Sequence, residues 1–205
     1  MAIADDFVKI VARVSSRMFG GTDLSRHKEW VDSTINFAVD GFIGAQAIKK
    51  YPLFIRPLAR YWIPELSKIS QHHATARRVI VPILKARKAH GTKPVDFLQW
   101  MLESARGEET EEQFISSIQL KLSFAAIHTS AAAPTQILYD LCARPEYIAP
   151  LLCEIEEVMA EHGVMNKQAL LKLVKMDSFM KESQRFNPLL LSTFISFLMR
   201  AEHIY

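Results

Sequence analysis

Residues 120–134 read LKLSFAAIHTSAAAP, and this stretch decides the fold. From Leu120 to Ile127 the apolar side chains leave almost no polar face at helical spacing. Such a helix belongs in the middle of a fold rather than on its surface. Phe124, Ala125 and Ala126 are then followed by His128, Thr129 and Ser130. Small side chains let a flat object approach the helix backbone. The polar groups beside them cost free energy unless they are satisfied. Pro134 removes a backbone donor and crowds the carbonyl of Ser130, so the helix is expected to open or kink beside Thr129. An apolar setting, a free hydroxyl and a local water site suit controlled proton delivery. The same residues also suit a kinked core helix whose hydroxyls bond back to preceding carbonyls.

Helical spacing continues on both sides of this stretch. Phe7, Ile10, Val11, Val14 and Met18 form one apolar stripe, which Gly20 and Gly21 should stop. Val31, Ile35, Ala38, Phe42 and Ala45 form a second, after Ser25. Three prolines then break the pattern across YPLFIRPLARYWIP, from Tyr51 to Pro64. A further helix carries Leu66, Ile69, His73, Ala76, Ile80 and Ile83, with a kink expected at Pro82. Asp96 can cap a short helix, Thr110-Glu111-Glu112-Gln113 has the form of a capping box, and the central helix should run to about Ala143. Glu146 to Glu161 reads as another helix, and Asn166 and Asp177 as caps of two more. Only Leu190 to Phe197 suggests a strand, and it has no partner. The expected class is all-α, with one possible orphan strand near the C-terminus.

The apolar fraction of 49% and charged fraction of 23% mark a folded chain rather than a disordered one. At 205 residues one domain is expected. A net charge of +3 does not argue for nucleic acid. No GxGxxG or GxxxxGK[ST] occurs, so a dinucleotide fold is excluded. The start carries two acids and is no signal peptide, and the apolar run from Pro188 to Met199 falls short of a membrane helix. The expectation is therefore a chain without a bilayer anchor of its own.

Cys142 and Cys153 lack any glycine-rich loop and read as ordinary buried cysteines. His72 and His73 are adjacent and point to different faces, so no metal pair is expected; His73 reads as a core histidine and His162 as a helix terminus. Met176 and Met180 read as core filler, and no Ser-His-Asp order stands out. Six positive charges between Arg77 and Lys93, with no acid among them, suggest a solvated face. Glu182 and Arg185, three residues apart, share a helix face and can pair.

In this order FAAIHTS, LYDLCARPEY and KMDSFMKESQRFNP resemble the cytochrome P-450 haem-thiolate monooxygenases, nearest to fungal members of the ent-kaurene-oxidase-like kind. The resemblance covers about Phe7 to Pro188. The family pattern small-small-x-acid-Thr is met by Ala125, Ala126 and Thr129, with His128 at the acid position. The resemblance implies that Thr129 helps protonate iron-bound oxygen, that His128 joins the relay, and that Phe124, Ala125 and Ala126 border haem and substrate. Glu182 and Arg185 match its structural ExxR pair.

The resemblance further implies haem b, a small apolar substrate that is a terpenoid or other secondary metabolite, and electrons from an NADPH-dependent flavoprotein reductase. It makes 51–64 a loop between lid helices able to touch a membrane peripherally, since aromatic and basic residues suit an interface. The full-length family would sit on the cytosolic side of the endoplasmic reticulum membrane; this chain, without an anchor, would be cytoplasmic or peripheral. The family's iron ligand is a cysteine in an FxxGxxxCxG loop after ExxR, and no such loop occurs here. Residues 189–205 also diverge from the family pattern. The chain thus reads as the central-to-C-terminal helical part of the fold, truncated at both ends. Two other readings stay open: an inactive fragment, and a helical module that binds a partner or apolar ligand.

Overall fold

The computed structural model describes residues 3–188 except Arg60 and Trp62. Every regular element among them is helical, as the spacing predicts. The order is α1 (Ile3–Arg26), α2 (Lys28–Lys49), α3 (Arg56–Ala59), α4 (Pro64–His90), α5 (Phe97–Ser104), α6 (Glu112–Ala143), α7 (Ile148–His162), α8 (Lys167–Lys172) and α9 (Val174–Phe186). Short 3₁₀ turns occupy Gly107–Thr110 and Pro145–Tyr147. The suggested strand at Leu190 to Phe197 lies outside the described residues.

The chain divides into two compact units, 1–131 and 132–205. In the first, α2 packs along α4 and α1 around Trp30, Leu24, Ile80, Leu84, Leu98, Ile115, Leu120 and Ile127. Trp30 is fully buried, and its indole N–H needs an acceptor there. Ser16 supplies it at 3.1 Å. This explains a correction to α1. Its inward line is Ala12, Ser16, Gly20 and Leu24, whereas the stripe read from the sequence leaves Ile10, Val14 and Met18 more than half exposed. The small residues admit the bulk of Trp30, and the larger ones turn out. In α2 the expected stripe holds through Val31 and Ala38 but leaves Phe42 outside.

Gly20 and Gly21 interrupt α1 as expected, and the chain resumes a helical course to Arg26. Gly21 has φ +80° and ψ −164°, a backbone region essentially reserved for glycine. The bend brings the Gly20 carbonyl to Arg87, whose guanidinium also grips Asp96 in a bidentate pair at 2.6 and 2.8 Å. Arg87 and Asp96 are 8% and 3% exposed. The basic run of α4 is therefore not all solvated: one of its cations is a buried tie between α4, α1 and the start of α5. Asp96 also caps α5 as read, accepting from the Gln99 N–H at 2.9 Å.

Two caps differ from expectation. Thr110 does not cap α6; its hydroxyl donates back to the Gly107 carbonyl at 2.7 Å and closes the 3₁₀ turn. Asp177 lies inside the first turn of α9 and pairs with Lys181. The N-terminus of α9 is held instead by Glu154 of α7, which accepts from the N–H groups of Lys175 and Met176 at 2.7 and 2.9 Å. In this second unit Val158, Ala169 and Leu173 form a small core with Ile155 and Met176, while Met180 is exposed. Both cysteines are exposed rather than buried; Cys153 stands on the outer side of α7, whose inward line is Leu151, Glu154 and Val158.

Candidate functional site

Within the first unit α6 buries Ile115, Leu120, Ser123 and Ile127 and exposes Lys121, Ala125, Thr129 and Ser130. One flank of this apolar helix is thus open, lined by the Ala125 methyl and the hydroxyls of Thr129 and Ser130, with Lys121 one turn before them. The expected opening beside Thr129 does not interrupt the helix, which runs through Pro134. Thr129 instead back-bonds: its hydroxyl donates to the Ala125 carbonyl at 2.6 Å, with Ala126 at 3.3 Å. That contact satisfies the carbonyl and leaves the Thr129 oxygen lone pairs facing the open flank.

His128 turns away from this flank. Its Nε2 donates to the Ile35 carbonyl of α2 at 3.0 Å. This bond selects the Nε2–H tautomer and leaves Nδ1 as the nitrogen able to accept a proton. Phe124 is held in an aromatic group, edge-on to Phe37 and tilted against Phe42, both at 5.9 Å. The structure therefore brings Ala125, Thr129 and Ser130 together, and binds Phe124 and His128 to α2.

Glu182 and Arg185 pair as their spacing predicts, through two hydrogen bonds of 2.6 and 2.8 Å. Arg185 lowers the Glu182 carboxyl below its ordinary value, and Glu182 raises the guanidinium in return. Both are more than half exposed, where such a pair adds little to stability. Glu182 borders a cavity of about 780 Å³ in the second unit, with Asp140, Arg144, Tyr147, Phe179 and Ser183 among its walls. Ser183, buried, donates to Asp140 at 2.5 Å and links the end of α6 to α9.

Sequence reasoning missed three polar ties. Glu154 is one; its signal was an acid on the inward line between Leu151 and Val158. Burial pushes its carboxyl up, but the backbone N–H groups of Lys175 and Met176 outweigh that and hold it below the ordinary value. Arg87–Asp96 is the second. The third is a row of Ser33, His72 and Asp40. His72 Nδ1 meets the Ser33 hydroxyl at 2.8 Å and Nε2 meets Asp40 at 2.9 Å. No sequence order announces it, because Ser33 and Asp40 lie two turns apart on α2 and meet His72 only across the α2–α4 interface. Ser33 is buried, so the row braces two helices.

A haem could rest one face on the open flank of α6, where Ala125 leaves room and Thr129 offers oxygen. The iron ligand is a different matter. The Cys153 thiol donates to Glu157 at 3.2 Å, and that carboxylate pushes its pKa up, the reverse of what a thiolate ligand requires. Among the described residues no group of three or more His, Cys, Asp or Glu could hold a metal ion. The small side chains of the α6 flank are compatible with a flat macrocycle, and the Cys153 thiol is not in the state a ligand needs. No helix among them is long and apolar enough to cross a membrane.

Residues 3–195 match the family model described as cytochrome P-450. The chain is 38% identical over 192 residues to an ent-kaurene oxidase of Gibberella intermedia, covering 94% of this chain and 36% of that protein. It is 41% identical over 187 residues to the monooxygenase ntnM of Nectria sp, covering 88% and 36%. With the monooxygenase braC of Annulohypoxylon truncatum it shares 37% over 199 residues, covering 93% and 40%. The chain thus spans roughly two fifths or less of the length of these relatives. The fold also matches the haem domain of cytochrome P450DA, with a TM-score of 0.65 and 17% identity over 91% of this chain and 40% of that one.

Proposed function

This chain belongs to the cytochrome P-450 family, and from that premise we propose that it forms the central helical part of a haem-thiolate monooxygenase acting on an apolar secondary metabolite of the terpenoid class. The single observation that supports this most is the open Ala125–Thr129–Ser130 flank on a helix otherwise buried. Bound haem b would supply the activation of O₂ and the oxidation of an unactivated C–H bond. The chain's own residues do the rest. Ala125 and the half-buried Ala126 leave the helix surface low enough for a flat ring. Thr129 holds a proton on its hydroxyl, shared with the Ala125 carbonyl, and its lone pairs can take a hydrogen bond from water on the open side. His128, fixed by Ile35, keeps Nδ1 available as the next proton acceptor. Phe124, fixed by Phe37 and Phe42, walls the substrate side against water. Glu182 and Arg185 hold one another beside the end of α9.

The partner would be an NADPH-dependent flavoprotein reductase, and the working location the cytosolic side of the endoplasmic reticulum membrane. Residues 51–64, where Leu53 and Phe54 are about four-fifths exposed, would touch that membrane. Residues 1–205 would act as one partial domain, with 189–205 a divergent tail. A second reading has its own support. The cavity of about 780 Å³ in the second unit, walled in part by Tyr147 and Phe179, favours a catalytically silent chain that binds a partner or an apolar ligand there.

Haem titration separates the two. The chain is expressed with the coding sequence that flanks it, loaded with haem and reduced under carbon monoxide. A thiolate-type absorbance band, and NADPH-dependent hydroxylation of a terpenoid hydrocarbon with reductase present, support the monooxygenase. Thr129→Ala should then release more peroxide per NADPH. Absence of the thiolate band and of product supports the silent reading.

A further inference from the structure

A polar recess of about 290 Å³ opens between α4 and α6, lined by Ser70, His73 and Arg77 from one helix and Gln113 and Ser117 from the other. Its charge is one-sided. Neither Arg77 nor Lys121, which stands one turn along α6 from Ser117, has a carboxylate partner among the described residues. Among the described residues the acids of α2 and the first acid of α6 are engaged elsewhere: Asp40 with His72 and Lys68, Glu29 with Arg78, Asp32 with Lys28, Glu112 with Lys85. From α2 the ring of Phe37 meets His73 edge-on at 5.6 Å. We propose that this recess binds a phosphate group, free or carried on a small ester or lipid head. Arg77 offers a planar fork of donors suited to two phosphate oxygens, Ser117 and Gln113 offer neutral donors around them, and the Ser70 hydroxyl can turn to them from its long 3.5 Å bond to the Leu66 carbonyl. Lys121 adds charge at the mouth. The volume exceeds that of the bare ion and leaves room for a short organic stem.

His73 reports on occupancy. Burial lowers its pKa first, and Lys121, Arg77 and His72 lower it further, so these surroundings disfavour the charged ring. A dianion placed among these cations reverses their effect and raises the pKa. The Asp40 carboxylate reaches His73 only through His72, whose two ring nitrogens are already bonded to Ser33 and Asp40.

The test is a proton NMR pH titration of the His73 ring in the full 205-residue chain, with the signal assigned by His73→Asn. Phosphate is compared with chloride at equal ionic strength, because simple screening of Lys121 and Arg77 also raises the pKa. Occupancy should raise it by about half a pH unit or more beyond chloride. A response to inorganic phosphate identifies a free anion as sufficient. A response only to a soluble short-chain phosphatidic acid identifies a lipid head. Arg77→Gln combined with Lys121→Gln, both at exposed positions, should raise the starting pKa and abolish the response. Equal titrations in phosphate, phosphatidic acid and chloride overturn the proposal, and so does a response that survives in the double variant.

Discussion

Replacing Asp96 by Asn strands the Arg87 guanidinium in the interior without an anion. The pair is 8% and 3% exposed and bidentate, so solvent cannot take over the lost partner. The Gly20 carbonyl remains, at 3.3 Å, as a neutral acceptor only. Breaking such a buried pair from one side costs about 3–5 kcal/mol. Asn caps a helix about as well as Asp, so the bond to the Gln99 N–H survives and the loss isolates the charge. Asp96→Ala should cost about 1 kcal/mol more, since it removes the cap as well. Against a total stability of about 5–15 kcal/mol this is a large fraction. Urea denaturation followed by circular dichroism should show the midpoint falling by about 2 M, for a slope of about 2 kcal/mol per molar. Adding Arg87→Met to Asp96→Asn should restore much of the loss, because an apolar side chain of similar length needs no anion. A loss under about 1 kcal/mol, or no recovery in the double variant, would mean that Arg87 finds water and that the tie between α4, α5 and the Gly20 bend is not electrostatic.

Gly21→Ala should destabilise by about 1–3 kcal/mol, read in the same urea experiment, since φ +80° with ψ −164° strains any side chain. Asp40 should make stability pH-dependent. The His72 hydrogen bond, helped by Lys68 and opposed by burial, holds its carboxyl below the ordinary value. A lowered carboxyl stabilises the fold above the unfolded value of about 3.9 and loses that contribution as pH falls through the lower folded one. The gap between wild type and Asp40→Asn should therefore be present at neutral pH and close on acidification toward pH about 2. Cys153 is exposed yet should alkylate slowly with iodoacetamide near neutral pH, because Glu157 keeps it protonated; Glu157→Gln should speed labelling several-fold at Cys153 and leave Cys142 unchanged.

The helical class was legible in residues 120–134 and in the stripes on either side, because a 3.6-residue period is a local property of the chain. So were the caps at Asp96 and Asn166 and the Glu182–Arg185 pair, each made within four residues. The order FAAIHTS, LYDLCARPEY, KMDSFMKESQRFNP carried the family, which the match over 3–195 shows. Reading failed where a side chain had two possible neighbours. Ile10, Val14 and Met18 look more buried by composition than Ala12 and Ser16, and only the bulk of Trp30 across the interface reverses that ranking. Thr110 could cap forward or bond backward, and the 3₁₀ turn decided it.

Periodicity, proline placement and motif order are written along the chain, so the long helices and family membership followed from the 205 residues alone, while the four-residue α3 inside 51–64 did not. Which ions are buried, which flank of α6 stays open, and how Ser33, His72 and Asp40 meet required the folded molecule. These depend on distances between residues 9 to 100 positions apart, set by how whole helices pack, and no local rule of spacing contains them.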